Sequence, residues 1–428
     1  MNHFEYDAAG VLHGEGVSLV ALAQAVGTPT YVYSHATLSR HYRVMDEALG
    51  GVDHLICYSV KANSNLAVLQ LLASLGSGFD IVSVGELRRV LAAGGDPAKV
   101  VFSGVGKRDD EIAAALRAGI HCLNVESAWE LARCAIVAEQ IGLPAPISLR
   151  VNPDVDAKTH AYISTGLRSS KFGVPFDEAL RLYRQAHASP HLRIVGIDCH
   201  IGSQIVEPAP LVEALERVLE LVDTLQAEGV HLDHVDMGGG LGITYKDERP
   251  APPRAIGEAY AARLAPRGLR LLVEPGRVIA GNAGVLLMRV LGTKTNGDRT
   301  FVITDAAMND NIRPSLYKAW QDISPVNHHP DRPDEVVDVV GPICESGDFF
   351  AHDRTLPALV RDDLLVMRST GAYGYSMASN YNSRTRPAEV MVHGDSWTVI
   401  RPREDVADLF ATERLLPIAR LPVVDSSS

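Results

Sequence analysis

Four polar segments contain the side chains best suited to chemistry, and each directly follows a short apolar run. They are Tyr58–Asn63, His200–Gln204, Gly238–Gly242 and Glu274–Arg277. The first contains Lys61, whose amine is neutral and nucleophilic near pH 7 only in a partly desolvated position. A lone lysine is far more often solvated or salt-bridged. Its location at the end of an apolar run makes Lys61 a candidate for a Schiff base with a carbonyl compound.

The glycine-rich segment Gly238–Gly242 indicates a phosphate site, although a glycine run is more often only a turn. Without a Cβ atom, the backbone N–H groups can approach a phosphate closely, and the start of a following helix adds a favourable dipole. Ser203 would supply a hydroxyl donor to the same group.

Glu274 and His200 can each be explained either by a structural role or by a role in chemistry. Glu274 alone would most simply be a structural carboxylate, and His200 a satisfied core histidine. Beside a pyridine ring, a carboxylate keeps the ring nitrogen protonated and makes the ring an electron sink. An imidazole can stack flat on the face of such a ring.

Two further polar segments occur late in the chain, at Cys344–Asp348 and Gly371–Tyr375. The other four cysteines are interpreted as small buried hydrophobic residues. Cys344 differs because polar residues and a glycine follow it, which places it on a loop. An exposed thiol of suitable pKa can act as a general acid.

The elements that must position these residues alternate between strands and helices from about residue 53 to 275. Eight strand–helix units of this size predict a TIM barrel, with a doubly wound open sheet as the alternative. In a barrel, the four polar segments would follow strands 1, 6, 7 and 8 and meet at one rim. The eight strand-like runs are His54–Tyr58, Phe79–Val82, Val100–Ser103, His121–Val125, Ile147–Val151, Ile194–Cys199, His234–Met237 and Leu269–Val273.

The periodicity changes after Gly281, where strand-like runs with long loops predict an all-β domain. We therefore divide the chain into an N-terminal segment (1–34), a barrel (35–280) and a C-terminal β domain (281–428). The N-terminal segment shows a hairpin about Ala8–Gly10, a helix near Leu19–Val26 and a strand at Thr30–Tyr33.

Composition restricts the function classes. Hydrophobic residues make up 46% and charged residues 21% of the 428 residues, as in ordinary globular proteins. The net charge of −12 argues against nucleic acid or an anionic membrane as a partner. No signal peptide or membrane-spanning run is visible. The five cysteines form no CxxC pair, which favours a reducing, cytoplasmic compartment and predicts neither disulfides nor a metal site.

Together, the six motifs resemble those of the fold type III decarboxylases that use pyridoxal 5′-phosphate (PLP), and most nearly the family acting on diaminopimelate. The segments Met308–Tyr317 and Met377–Asn382 strengthen the resemblance, which spans nearly the whole chain. It implies a barrel plus a β domain that the N-terminal segment joins. It also implies PLP as the cofactor and a homodimer with shared active sites. Asn311 departs from the apolar residue usual in this family.

The resemblance also implies a role for each motif residue. Lys61 would bond covalently to PLP, His200 would stack on its ring, and Cys344 would be the proton donor, reaching the neighbouring subunit's site. The implied cofactor contacts are Lys61, His200, Ser203, Gly239, Gly240, Glu274, Gly276, Arg277 and Tyr373. The implied substrate contacts are Arg277, Arg313, Tyr317, Glu345 and Tyr373, with Arg277, Arg313 and Tyr317 on a distal carboxylate and Glu345 on a distal ammonium.

The expected reaction is the conversion of meso-2,6-diaminopimelate to L-lysine and CO₂, the last step of lysine biosynthesis. One alternative is a decarboxylase of ornithine, arginine or another basic amino acid, which would leave Arg313 without an obvious role. A racemase would leave the Cys344–Asp348 motif unexplained. A non-catalytic PLP-binding or regulatory protein is the alternative from another class.

Overall fold

The N-terminal elements are a small antiparallel sheet, a helix and one longer strand. In the computed structural model, which describes residues 2–156 and 171–416, the predicted hairpin, helix and strand of this segment are all present. Gly10 has a φ of 78° in the hairpin turn, a conformation that favours glycine. The elements are β1 (Phe4–Tyr6), β2 (Leu12–Gly14), β3 (Val17–Ser18), α1 (Leu19–Val26) and β4 (Thr30–Ser34).

The eight predicted apolar runs form eight parallel strands that close into a barrel. Closure occurs where the last strand pairs with the first, with Leu271 opposite His54 and Val273 opposite Ile56. The TIM barrel is therefore confirmed, and the open-sheet alternative was wrong. The strands are β5 (His54–Ser59), β6 (Gly78–Ile81), β7 (Val100–Phe102), β8 (Cys122–Val125), β9 (Ala145–Arg150), β10 (Leu192–Asp198), β11 (His234–Asp236) and β12 (Arg270–Val273).

Helices surround the barrel because each has one apolar face that must be buried. In the longest, Leu211, Leu215, Val218, Leu219 and Val222 recur at helical spacing and are buried. Glycines in the left-handed conformation end two of them, at Gly119 and Gly142. The helices are α2 (His35–Leu49), α3 (Leu66–Ser74), α4 (Val84–Ala92), α5 (Asp109–Ala118), α6 (Ala128–Ile141), α7 (Phe176–His187), α8 (Ala209–Ala227), α9 (Pro253–Leu264) and the short α10 (Arg277–Ala280).

The predicted all-β region contributes eight strands and one short helix, and its strands form a nine-stranded sheet together with β4. The N-terminal strand β4 lies at its centre, antiparallel to Gly284–Leu287 and parallel to Ala388–Val392. Residues 417–428 of the predicted β domain lie outside the described residues. The elements are β13 (Gly284–Asn296), β14 (Arg299–Thr304), α11 (Arg313–Tyr317), β15 (Ile323–Pro325), β16 (Asp334–Val340), β17 (Phe349–Pro357), β18 (Leu364–Met367), β19 (Ala388–His393) and β20 (Ser396–Arg401).

The two parts of the chain meet where Lys61 lies. The N–H of Tyr373, in the loop after β18, donates to the carbonyl of Ala62 at 2.8 Å. The Asn63 amide donates to the carbonyl of Gly371 at 3.1 Å. The sheet thus holds one loop over the rim formed by the carboxyl ends of the barrel strands. Within the described residues, no helix combines the length and apolar character needed to cross a bilayer.

Candidate active site

A cavity of about 580 Å³ opens at the carboxyl ends of the barrel strands, and a smaller one adjoins it. Their walls bring together most of the residues predicted from sequence. Gly239 lies behind the wall, whereas Cys344 and Glu345 line neither cavity. The predicted residues that line one or both are Lys61, His200, Ser203, Gly240, Glu274, Gly276, Arg277, Arg313, Tyr317 and Tyr373.

Lys61 lies in the single 3₁₀ turn that follows β5, with its side chain directed into the cavity. Its Nζ is 2.7 Å from Oδ2 of Asp80, at the centre of β6. Burial lowers the pKa of Lys61, but the carboxylates of Asp80 and Glu274 outweigh that effect and raise it. The amine is therefore held as an ammonium, and Asp80 fixes its direction.

His200 follows β10 and is held as a neutral imidazole. Its Nδ1 accepts the backbone N–H of Gly239 at 3.2 Å, which an imidazolium could not do. Burial lowers the pKa of His200 well below its ordinary value, and Arg150 and Lys61 lower it further. A neutral ring fixed by this hydrogen bond lines the cavity without adding charge, and a flat ring there could stack on an aromatic ligand.

Glu274 belongs to a group of buried carboxylates inside the barrel. Oxygens of Asp198, Asp236 and Glu274 lie within 4.8 Å of one another, and all three residues are buried. Burial raises the pKa of Glu274, and the carboxylates of Asp80 and Asp236 raise it further. The Asn124 amide and the Ser103 hydroxyl each lie 3.3 Å from Oε1 of Glu274 and hold it in place. A cationic group in the cavity would relieve this excess of negative charge.

Glycines shape a narrow cradle beside Lys61. A Cβ atom on Gly276 would lie 2.9 Å from Cβ of Ala62, and one on Gly240, whose φ is +107°, would lie 2.5 Å from the carbonyl oxygen of Gly202. No other residue would leave these loops so close together. Ser203 Oγ lies 3.0 Å from Nη2 of Arg277, so both offer donors at the cradle.

Two arginines converge on a tyrosine at the other side of the cavity. Nη1 of Arg277 and Nη1 of Arg313 each donate to the hydroxyl of Tyr245 at 2.6 Å. The Arg313 guanidinium also lies 4.7 Å from the centre of the Tyr245 ring. Both guanidinium groups are largely buried, so the point they share is strongly positive. An anionic group is the ligand that such a point favours.

The loop that carries Tyr245 is fixed by Glu248. The Glu248 carboxylate accepts the backbone N–H of Tyr245 at 2.9 Å and that of Lys246 at 2.7 Å. Burial acts to raise the pKa of Glu248, but these hydrogen bonds outweigh it and hold the pKa below its ordinary value. The loop therefore presents the Tyr245 hydroxyl to the two arginines in a defined position.

Cys344 lies outside the cavity, on an exposed loop of the β domain. Its backbone N–H donates to Oδ1 of Asn382 at 2.8 Å, which joins the Cys344–Asp348 motif to the segment Met377–Asn382. The neighbouring Asp348 accepts the N–H groups of Met308 and Ile343, each at 2.8 Å. The motif is thus well anchored, while Cys344 and Glu345 are exposed and do not line the cavity.

Sequence reasoning missed Asp80, Arg150 and Tyr245. Asp80 carried a signal, because it is a charged residue inside the apolar run Phe79–Val82. Arg150 likewise ends the run of β9 and lines the cavity. Tyr245 had no such signal, since it follows the glycine segment in an irregular stretch. The departure at Asn311 is accommodated, because its amide donates to Oε1 of Gln321 at 2.8 Å.

These residues fit PLP. The cradle has no room for additional Cβ atoms and is bordered by Ser203 and Arg277, whose Nε is buried without a partner among the described residues. Lys61 offers the amine for the covalent bond, and Glu274 the carboxylate for the pyridine nitrogen. His200 offers the flat face for the ring, and the cradle suits the phosphate.

Comparison with known proteins gives the class. Residues 35–281 match the family described as pyridoxal-dependent decarboxylase, pyridoxal binding domain. The chain therefore belongs to the PLP-dependent decarboxylases, and PLP is its cofactor.

The narrower family follows from close relatives. The chain is 56% identical to diaminopimelate decarboxylase of Vibrio cholerae over 97% of its own length and 100% of that protein. The structure of the Helicobacter pylori diaminopimelate decarboxylase complexed with L-lysine is 43% identical with a TM-score of 0.89, covering 92% of this chain and 98% of that one. The corresponding M. jannaschii structure is 36% identical with a TM-score of 0.92, covering 97% and 98%. The chain belongs to the diaminopimelate decarboxylase family.

Proposed function

We propose that this protein decarboxylates meso-2,6-diaminopimelate to L-lysine and CO₂, the last step of lysine biosynthesis. The observation that carries the proposal is the convergence of Arg277 and Arg313 on one point, 2.6 Å from each, in the cavity that Lys61 enters. Diaminopimelate has an amino-acid group at each end. One end would meet the cofactor beside Lys61, and the carboxylate of the other end suits the two arginines.

The chain's own residues divide the remaining work. When bound, PLP supplies the electron sink that accepts the electrons released with CO₂. Lys61 would hold the cofactor until the substrate amine replaces it, and Asp80 would receive the freed ammonium at the position it now occupies. Glu274 would keep the pyridine nitrogen protonated, and neutral His200 would hold the ring flat. Ser203, Gly239, Gly240, Gly276 and Arg277 would anchor the phosphate.

Distal recognition would depend on side chains from both parts of the chain. Arg277 and Arg313 would bind the distal carboxylate, with Tyr317 and Tyr373 in the same cavity wall. Tyr245 now occupies the point where both guanidinium groups meet. We expect its hydroxyl to remain beside the bound carboxylate, where it can donate its own proton.

We also propose that the protein is a homodimer in which Cys344 and Glu345 complete the partner's site. Their position outside the cavity of their own subunit supports this proposal, because a proton donor must reach the reacting carbon. Cys344 would protonate that carbon, and Glu345 would accept the distal ammonium. Isologous dimers are the commonest assemblies and would complete two sites at once.

We further propose a cytoplasmic location and a division of the chain into 1–34, 35–280 and 281–428. The absence of a disulfide among the five cysteines, all of which are described, supports the location. The pairing of β4 with β13 and β19 supports assigning the N-terminal segment to the β domain.

A substrate panel tests the proposed function. The purified protein is supplied with PLP and then with diaminopimelate, ornithine, arginine or lysine, and CO₂ release is measured. We expect release from diaminopimelate to exceed the others by at least tenfold in kcat/KM. Ornithine or arginine as the best substrate would instead support the basic amino-acid decarboxylase. The absorption of bound PLP without CO₂ from any of them would support a non-catalytic protein.

A further inference from the structure

A cluster of two histidines and a cysteine lies at the end of the barrel opposite the cavity. His121 and Cys122 lie at the start of β8, and His234 at the start of β11, whereas the active-site residues follow the ends of strands. One ligand atom from each of the three lies within 4.8 Å of the others. Imidazole nitrogen and thiolate sulfur are the ligands that zinc prefers in proteins.

The nitrogen atoms of the cluster lack the partners that buried polar atoms require. Both ring nitrogens of His234 are buried without a hydrogen-bond partner among the described residues, and the side chain is only 1% exposed. Nε2 of His121 is also buried without a hydrogen-bond partner among the described residues. Buried polar groups are nearly always satisfied, so this concentration at one place calls for a shared partner.

Neighbouring groups fix the positions of Cys122 and His234. The Cys122 thiol lies 3.5 Å from Oδ1 of Asn124. Gly196 gives the His234 ring its space, since a Cβ there would lie 2.1 Å from Nε2.

The two histidine rings also lie side by side. Their centroids are 5.0 Å apart and their planes are tilted by 44°. A metal ion binds cysteine as the thiolate, so binding would displace one proton from Cys122 to the solvent.

We propose that His121, Cys122 and His234 form a buried site for a divalent transition-metal ion of the zinc type. Zinc–ligand distances of about 2.0–2.3 Å place tetrahedral ligand atoms about 3.5 Å apart, so the side chains would draw together on binding. Water would complete the shell. His121 is partly exposed and gives the ion an entrance. The spacing of the cysteines could not predict the site, because its ligands come from distant strands.

Arg270 allows a second prediction, in which a substitution makes metal binding tighter rather than weaker. It lies at the start of β12 opposite His234, and its positive charge acts on both histidines. A cation beside the site must weaken metal binding. Arg270→Gln should therefore tighten binding severalfold, whereas changes to the ligands should weaken it.

Calorimetric titration of the metal-stripped, PLP-loaded protein with Zn²⁺ tests the site. We expect one ion per chain and about one proton released, measured from the dependence of the heat on the buffer. Cys122→Ser and His121→Gln should each bind at least tenfold more weakly. Cys134→Ser in α6 is the matched control for a buried thiol, and Cys344→Ala excludes binding at the exposed one. Both should bind as the parent does.

Four results would overturn the proposal. They are no binding by the parent at micromolar Zn²⁺, unchanged affinity in Cys122→Ser and His121→Gln, loss of the ion in Cys344→Ala, or weaker binding in Arg270→Gln. The first would indicate that the histidines are simply stacked, or joined by a buried water molecule. Circular dichroism of each variant confirms that it is folded before titration.

Discussion

Tyr245 and Arg313 are joined twice, by a 2.6 Å hydrogen bond from Nη1 to the hydroxyl and by the guanidinium lying 4.7 Å from the ring centre. Arg277 donates to the same hydroxyl at 2.6 Å. The three side chains come from the loop after β11, from α11 of the β domain and from α10. Two domains therefore define one anion-binding point, and the predicted substrate specificity depends on it.

Removing Arg313 should reduce the preference for a substrate with a distal carboxylate. A charge-assisted hydrogen bond contributes roughly 1.5–3 kcal/mol, so Arg313→Ala should lower kcat/KM for diaminopimelate about 10- to 150-fold. Tyr245→Phe should raise the KM for diaminopimelate less than Arg313→Ala does, and it should leave kcat nearly unchanged. Tyr260→Phe, in α9, removes a hydroxyl elsewhere and serves as the control. Unchanged turnover of diaminopimelate by Arg313→Ala would contradict the assigned substrate.

Lys61 should carry the cofactor. Lys61→Ala should lose the visible absorption of covalently bound PLP and nearly all turnover, because no other lysine of the described residues lines the cavity. Borohydride reduction followed by peptide mapping should label Lys61. The other lysine that could be labelled is Lys171, which is exposed and lies beside Phe172 of the cavity lining. A label on Lys171 would refute the assignment.

Cys344 should act across a dimer interface as the general acid. Loss of a positioned acid typically costs about 10²–10⁴-fold in rate, so Cys344→Ala should bind PLP normally and turn over slowly. Mixing it with inactive Lys61→Ala gives the sharper measurement. Exchanged heterodimers would contain one intact site and recover up to half the activity per dimer. If subunit exchange is verified and no activity returns, Cys344 does not act in the partner's site.

Glu86 should make the protein less stable as the pH rises. Burial raises its pKa to about 7, and Asp80 adds to the shift. The folded state therefore holds a proton that the unfolded state loses near pH 4.5, so stability falls from about pH 4.5 to 7. Glu86→Gln should match the parent at pH 4.5 and exceed it by about 1–3 kcal/mol at pH 8 in urea unfolding. Glu220→Gln, at an exposed position, is the control. If the stability of Glu86→Gln fell with pH as much as that of the parent, the prediction would be contradicted.

The sequence predicted the barrel and its rim because strand periodicity is local. Lys61, His200, Gly240 and Glu274 each follow an apolar run, and parallel strands bring such positions together whatever their separation along the chain. Tyr245 could not be found in this way, since its role depends on where the irregular loop after β11 folds back. Asp80 carried a local signal as a charged residue inside an apolar run, but its contact with Lys61 depends on the pairing of β5 with β6.

One end of diaminopimelate should react beside Lys61 while Arg277 and Arg313 bind the other end. Incubation of the PLP-loaded protein with each separated stereoisomer, followed by measurement of lysine and CO₂, tests it most directly. We predict L-lysine and CO₂ in equal amounts from the meso isomer, with little from the isomers whose two ends have the same configuration. Equal turnover of all isomers, or CO₂ without lysine, would contradict the account.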